Sequence, residues 1–356
     1  MPDSWQAELD ALKVLSARIG ADPLLTQAAG GNTSLKVDGT LWIKASGTWL
    51  SQALERDIMV PVETAPLLDA VAAVDPAAEE PQRFTVASLN ASGLRPSIET
   101  TVHALMPQRV VLHVHCVDTI ALAVRADCVE EAAPRLSSLD WAYVPYVRPG
   151  LPLALAISEH RARRPDVLVL GSHGLVVAAE TVAEAAALLD DVKARLWIAP
   201  RPAAPADEGR LSAYSAALAD AGVAYRMPAS DAAHAAATDP VSTEIAARGS
   251  LYPDHVIFLG EGSAIASPGE AAAALLDRVG APPVSILLPG AGVLMRADAE
   301  AGADALARCL ADVTARIPAG APVRVLTAEE RLQLTDWDAE KYRLDIARRA
   351  ATKMTA

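Results

Sequence analysis

The chain has 356 residues, 52% hydrophobic and 21% charged, with a formal net charge of −13. That length and apolar content exclude a disordered polymer and leave room for two domains. The acidic balance disfavours a nucleic-acid partner, because phosphate polymers are repelled.

Cys116, Cys128 and Cys309 are odd in number and widely spaced, which argues against a disulfide framework and for a reducing cytoplasm. No signal-peptide pattern opens the sequence, and no apolar run reaches the ~20 residues of a membrane span. The expectation is a cytoplasmic protein with no membrane partner.

In chain order, residues 4–20 read as an amphipathic helix, with Trp5, Leu9, Leu12, Leu15 and Ile19 at helical spacing. A turn follows at Gly30-Gly31-Asn32-Thr33-Ser34. Two short strand-like runs, Ser34–Val37 and Leu41–Ala45, are joined by Asp38-Gly39, a hairpin signal. Residues 98–106 read as helix, Val110–His115 as strand and 117–126 as helix. Val167–Leu170 and Leu175–Ala178 read as strands on either side of a turn at Gly171-Ser172-His173-Gly174. Residues 181–198 read as a long helix, with Thr181 as N-cap and Glu184 completing a capping box.

Residues 200–209 are rich in proline and alanine and read as a linker between a domain over 1–199 and one over 210–356. Beyond it the pattern predicts helix over 210–222, strand over Val256–Leu259, helix over 269–279, strand over Val284–Leu288 and helix over 299–317. That alternation predicts a small α/β domain.

Four pieces carry chemistry. His113 and His115 sit two apart in a strand, so their side chains share a face and can bind one ion. Buried imidazoles also need polar partners, which favours a site over an accident of composition. His173, on a glycine-flanked corner, is a candidate third ligand. Three neutral imidazoles with an open position suit a catalytic divalent cation. Glu99, near a helix start, is either a cap or a base or ligand for that ion. His103, one turn further on, reads as structural. The turn at Gly30–Ser34, with Ser46-Gly47, offers backbone amides and hydroxyls to an anion.

In this order the pieces resemble the class II aldolase/adducin family over roughly residues 8–198. The matching segments are Gly-Gly-Asn-Thr-Ser (30–34), Lys-Ala-Ser-Gly (44–47), Pro-Ser-Ile-Glu-Thr-Thr-Val-His (96–103), Val-Leu-His-Val-His (111–115), Tyr-Val-Arg-Pro-Gly (146–150) and Ser-His-Gly-Leu-Val-Val (172–177). The tail segments Tyr252–His255, Leu288–Gly292 and Trp337–Tyr342 look, more loosely, like the aldolase part of bifunctional rhamnulose-phosphate aldolase/alcohol dehydrogenases.

The resemblance implies a three-layer α/β/α domain around a mainly antiparallel sheet, with a smaller C-terminal α/β domain. It implies zinc or another divalent ion such as Mn2+ or Co2+ on His113, His115 and His173, with Glu99 as acid/base. It assigns substrate binding, normally of a phosphate, to Asn32, Ser46, Gly47 and Ser97. The implied activity is an aldolase that cleaves or forms a C–C bond in a ketose, sugar phosphate or sugar acid through a metal-stabilised enediolate. A homo-oligomer is implied, a tetramer being favoured.

Ile98 departs from the family pattern, which often has a second serine before the glutamate, so a phosphorylated substrate is not assured. Tyr143, Tyr146 and Tyr342 are unranked candidates for a second acid, and Lys44 for charge balance. The same chemistry serves epimerases and decarboxylases, and the fold also serves non-catalytic adducin-like scaffolds.

Overall fold

The computed structural model describes residues 4–338, 340–342 and 346. The rest of the C-terminal unit expected over 210–356 lies outside the described residues. Among those residues the strands form two sheets. The larger contains β1 (Asn32–Val37), β2 (Thr40–Lys44), β3 (Met59–Glu63), β4 (Val110–Val114), β5 (Trp141–Val144), β6 (Val167–Leu170) and β7 (Gly174–Ala179), in the order β3-β2-β1-β4-β7-β6-β5. Every neighbouring pair is antiparallel except β5 and β6. The Asp38-Gly39 hairpin forms as expected, with both residues at positive φ (46° and 80°).

Strand alternation sorts the side chains of β4 between two layers. Val110, Leu112 and Val114 face a core shared with the helices Ser4–Ala21 and Val182–Leu196. Val111 faces the opposite core, with Val102 and Met106 beside the helix Thr100–Leu105 and Leu153 and Ile157 from Leu151–Ser158. The sheet is therefore the middle of three layers. His113 shares the face of Val111, which directs it toward the helix that Glu99 precedes. The expected capping box of the Val182–Leu196 helix is present, with Thr181 accepting from the Glu184 amide.

The smaller sheet contains β8 (Tyr225–Arg226), β9 (Ala264–Ile265), β10 (Ser285–Leu288) and β11 (Gly292–Arg296), in the order β8-β11-β10-β9. One expectation fails here. Val256–Leu259 is not a strand but the end of the helix Pro253–Leu259. Pro253 suits the first helical turn, Asp254 complements its dipole, and the short apolar run alone could not separate helix from strand.

The two sheets are joined by a continuous apolar layer. Val117, Ile120, Ala121 and Val124 pack against Tyr252, Phe258, Leu306 and Leu310. A buried ion pair crosses the same boundary, with Arg316 Nε 3.0 Å from Asp118 Oδ1. The proline-rich segment after Leu196 carries neither helix nor strand until Glu208. It is nonetheless pinned, because the Arg201 guanidinium bonds Asp239, Ser242 and the carbonyl of Thr314. Cys116, Cys128 and Cys309 are buried free thiols. Among the described residues, no helix is long and apolar enough to cross a membrane.

Candidate metal centre

The site is built where β1 and β7 begin and β4 ends. Asn32 and His113 are direct cross-strand partners, and His113 also faces Val176 on β7. His115 follows the last residue of β4. His173 sits in the β6–β7 turn, aimed by Ser172, which adopts the left-handed conformation at φ 49°. Gly174 allows that turn to press on β4, since a Cβ there would lie 2.5 Å from the Val114 carbonyl.

The three imidazoles converge. Their ring centroids are 4.9–5.3 Å apart, and one nitrogen from each lies within 4.8 Å of the others. All three residues are buried. The proton positions follow from the partners. His113 Nδ1 lies 3.1 Å from the Leu175 carbonyl, which can only accept, so Nδ1 carries the proton and Nε2 keeps its lone pair. His115 Nδ1 likewise lies 2.9 Å from Asp254 Oδ2. The two Nε2 atoms are 3.2 Å apart.

Glu99 closes the group. Its Oε2 is 3.3 Å from His113 Nε2, and its Oε1 is 3.4 Å from His173 Nε2. Although Glu99 occupies the cap position of Thr100–Leu105, its side chain makes no capping bond and turns into the cleft. Asn32 Nδ2 donates to Glu99 Oε2 at 2.9 Å and to Ser97 Oγ at 3.1 Å.

Burial works to raise the Glu99 pKa, but the positive charge that the adjoining histidines take on in acid, together with the Asn32 amide, outweighs it and holds the carboxyl low, at about 2. Burial lowers the His113 and His173 pKa values, the latter to about 3. Neutral imidazoles and a carboxylate thus point lone pairs at one another. A cation between them would turn that repulsion into ligation. Two nitrogens each ~2.1 Å from a tetrahedral zinc lie about 3.4 Å apart, close to the separation seen here. The donor set fits a divalent ion.

The substrate-binding candidates line the same cleft as Glu99, His115 and His173: Asn32, Ser46, Gly47 and Ser97 all border it. They are drawn together by backbone bonds from Ser97 to Lys44 and from Ser46 to Arg95. Lys44 donates to the carbonyls of Ala29 and Gly31 at 2.8 and 2.9 Å, which holds the glycine turn in place. The tyrosines do not border this cleft. Tyr342 lines an adjoining one with Ser46 and Ile98, under the Arg95 guanidinium. Tyr143 and Tyr146 sit behind the Gly171 turn.

Two acidic residues that border the cleft were not anticipated there. Asp254 and Glu340 both come from the C-terminal part and both are 2% exposed. Tyr252–His255 and Trp337–Tyr342 had stood out in sequence, but no spacing rule tied either to the histidines.

The profile of the class II aldolase and adducin N-terminal domain matches residues 15–196, about half of the sequence. The chain belongs to the class II aldolase/adducin family, whose aldolases are divalent-metal dependent and whose relatives include epimerases and decarboxylases.

The uncharacterized oxidoreductase YuxG of Bacillus subtilis (strain 168) is 30% identical over 191 residues, 49% of this chain and 27% of that protein. Among solved structures, the N-terminal class II aldolase domain of a conserved Thermoplasma acidophilum protein is 25% identical, with TM-score 0.46, covering 55% of this chain and 93% of that one. The L-fuculose-1-phosphate aldolase of Thermus thermophilus is 18% identical, with TM-score 0.35, covering 52% of this chain and 92% of its own.

Proposed function

We propose that this protein is a divalent-metal-dependent aldolase, a carbon–carbon lyase acting on a ketose-type substrate. The observation that carries the reading is the convergence of three imidazoles with the Glu99 carboxylate, of which Glu99, His115 and His173 border one cleft. His113, His115 and His173 would hold Zn2+ or a related ion such as Mn2+ or Co2+. Bound there, the ion would supply Lewis-acid chemistry for a carbonyl and the negative charge that develops beside it.

Glu99 moves the proton at the carbon next to the carbonyl. In the bond-forming direction the ionised carboxylate takes that proton as the base, and in cleavage the same carboxyl, once protonated, returns it. Asn32 orients it through the 2.9 Å bond to Oε2. Ser46, Gly47 and Ser97 receive the far end of the substrate. Ile98 brings no hydroxyl there, and the carboxyl-bearing Glu340 lines the same cleft. With Lys44 and Glu340 both lining the cleft, the missing hydroxyl at Ile98 is what leaves a neutral, hydroxyl-bearing end as an alternative to a phosphate.

The catalytic unit is taken as residues 1–199 and the C-terminal unit as 210–356, with 200–209 between them. A cytoplasmic homo-oligomer, a tetramer for preference, accompanies this reading.

The test is a retro-aldol screen of metal-stripped protein reloaded with Zn2+, Mn2+ or Co2+, over free ketoses, sugar phosphates and sugar acids. Two carbon fragments are expected. Release of CO2, or an epimer of unchanged mass, would reassign the reaction within the family. Purified protein that takes up no stoichiometric metal would mark a scaffold.

A further inference from the structure

The histidine cluster draws on a residue from outside the aldolase-type sheet. Asp254 lies in the first turn of the helix Pro253–Leu259, on the C-terminal side of the apolar boundary. Its Oδ2 stands 2.9 Å from Nδ1 of His115, and the two side chains are 3% and 8% exposed. The contact is closely fitted. A Cβ on Gly30 would come 2.7 Å from His115 Nδ1 and 2.8 Å from Asp254 Oδ2, so the glycine turn wraps the pair and a larger residue would wedge into it.

Geometry gives this contact a consequence. His113 has its tautomer set by a backbone carbonyl of the same sheet, at Leu175. His115 lies past the end of β4, beyond the ladder that supplies such a carbonyl. Asp254 takes that place through its charge: a carboxylate oxygen 2.9 Å from Nδ1 favours the proton on that nitrogen and leaves Nε2 for the centre. A carboxylate behind a ligating imidazole also raises its basicity and locks its ring plane.

We infer that Asp254 is a positioning residue for the metal centre: it sets the tautomer and ring orientation of His115, so that cation affinity depends on the docking of the C-terminal unit. Asp254 does not itself take the ion. It stands on the Nδ1 side of His115, away from the nitrogen that meets His113. The inference rests on the metal-centre reading above, and the two fail differently.

The experiment uses the full chain and Asp254→Asn, which keeps the shape and removes the charge. Zn2+ affinity is measured by chelator competition, the visible spectrum is recorded with Co2+ in the site, and thermal unfolding is followed without metal. The expected result is a 10–100-fold loss of Zn2+ affinity and a changed Co2+ spectrum. Metal-free unfolding stays within a few degrees of the parent. Asp254→Glu is expected to recover part of the affinity.

An Asp254→Asn protein that binds Zn2+ within twofold of the parent, with the same Co2+ spectrum, overturns the role of Asp254 while leaving the histidine site standing. So does a loss of affinity matched by loss of metal-free secondary structure. A parent protein that binds no Zn2+ or Co2+ overturns both readings.

Discussion

His103 holds the side-chain amide of Asn32 in one orientation. His103 Nε2 bonds Asn32 Oδ1, and His103 Nδ1 lies 2.7 Å from the Ser34 hydroxyl. Because the Asn32 amide nitrogen donates to Glu99, its oxygen must accept, so Nε2 carries the His103 proton and Nδ1 accepts from Ser34. The relay runs from hydroxyl to imidazole to amide to carboxylate. Burial keeps the His103 pKa well below its ordinary value, so the ring stays neutral and the relay keeps its sense.

His103→Phe removes the donor to Asn32 and lets the amide rotate. Turnover should fall about tenfold or more with metal content unchanged, and stability should drop by roughly 1–3 kcal/mol from the unsatisfied buried groups. Steady-state kinetics beside elemental analysis checks this. Loss of metal in that variant would show that His103 supports the ligands and not Glu99.

Glu99→Gln separates ligation from proton transfer. Three imidazoles should keep the ion, while the rate should fall by about 10²–10⁴-fold. Near-normal turnover would remove Glu99 from the proton path. His113→Ala should instead lose both metal and turnover while remaining folded.

Ser172 adopts φ 49° immediately before His173. A β-branched residue disfavours that conformation, so Ser172→Val should cost about 1–2 kcal/mol and weaken metal binding by shifting His173. Ser172→Gly should be close to neutral. Thermal unfolding of the pair, with and without Zn2+, reads both effects, and equal metal affinity in the two variants would count against the aiming role.

Arg316 and Asp118 are paired with side chains 5% and 2% exposed, and Asp118 also accepts from the Ile198 amide. Removing one partner strands a buried charge. Arg316→Met should destabilise by about 3–5 kcal/mol. Denaturant unfolding measures it, and a change below about 1 kcal/mol would mean that water reaches Asp118.

His255 is fully buried, and burial lowers its pKa to about 4. The unfolded chain, with a pKa near 6.5, binds the proton more readily. Its contribution to stability is therefore complete above about pH 6.5 and falls away toward pH 4, by roughly 3 kcal/mol. His255→Gln should flatten the stability–pH curve over that interval relative to the parent, as read by urea midpoints. Parallel curves would place the titration elsewhere.

Much of the site was legible because its parts are local. The i, i+2 spacing of His113 and His115 needs only the alternation of a strand, and β4 forms where the β-rich run predicts it. His173 was legible as the corner between two apolar strands, and Thr181 with Glu184 announced the helix that follows. Short apolar runs were less secure. Val256–Leu259 lacks the length to declare a period, and the Pro-Asp start before it decided for helix.

The sequence alone determined which donors exist and on which face of each element they lie, because side-chain direction follows backbone period. Tertiary structure decided the rest. It turned Glu99 from a helix cap into a member of the cleft, drew Asn32, Ser46 and Ser97 to one wall, and brought Asp254 behind His115. Those relations come from packing between segments distant in the chain, where neither period nor spacing carries information about which atoms will meet.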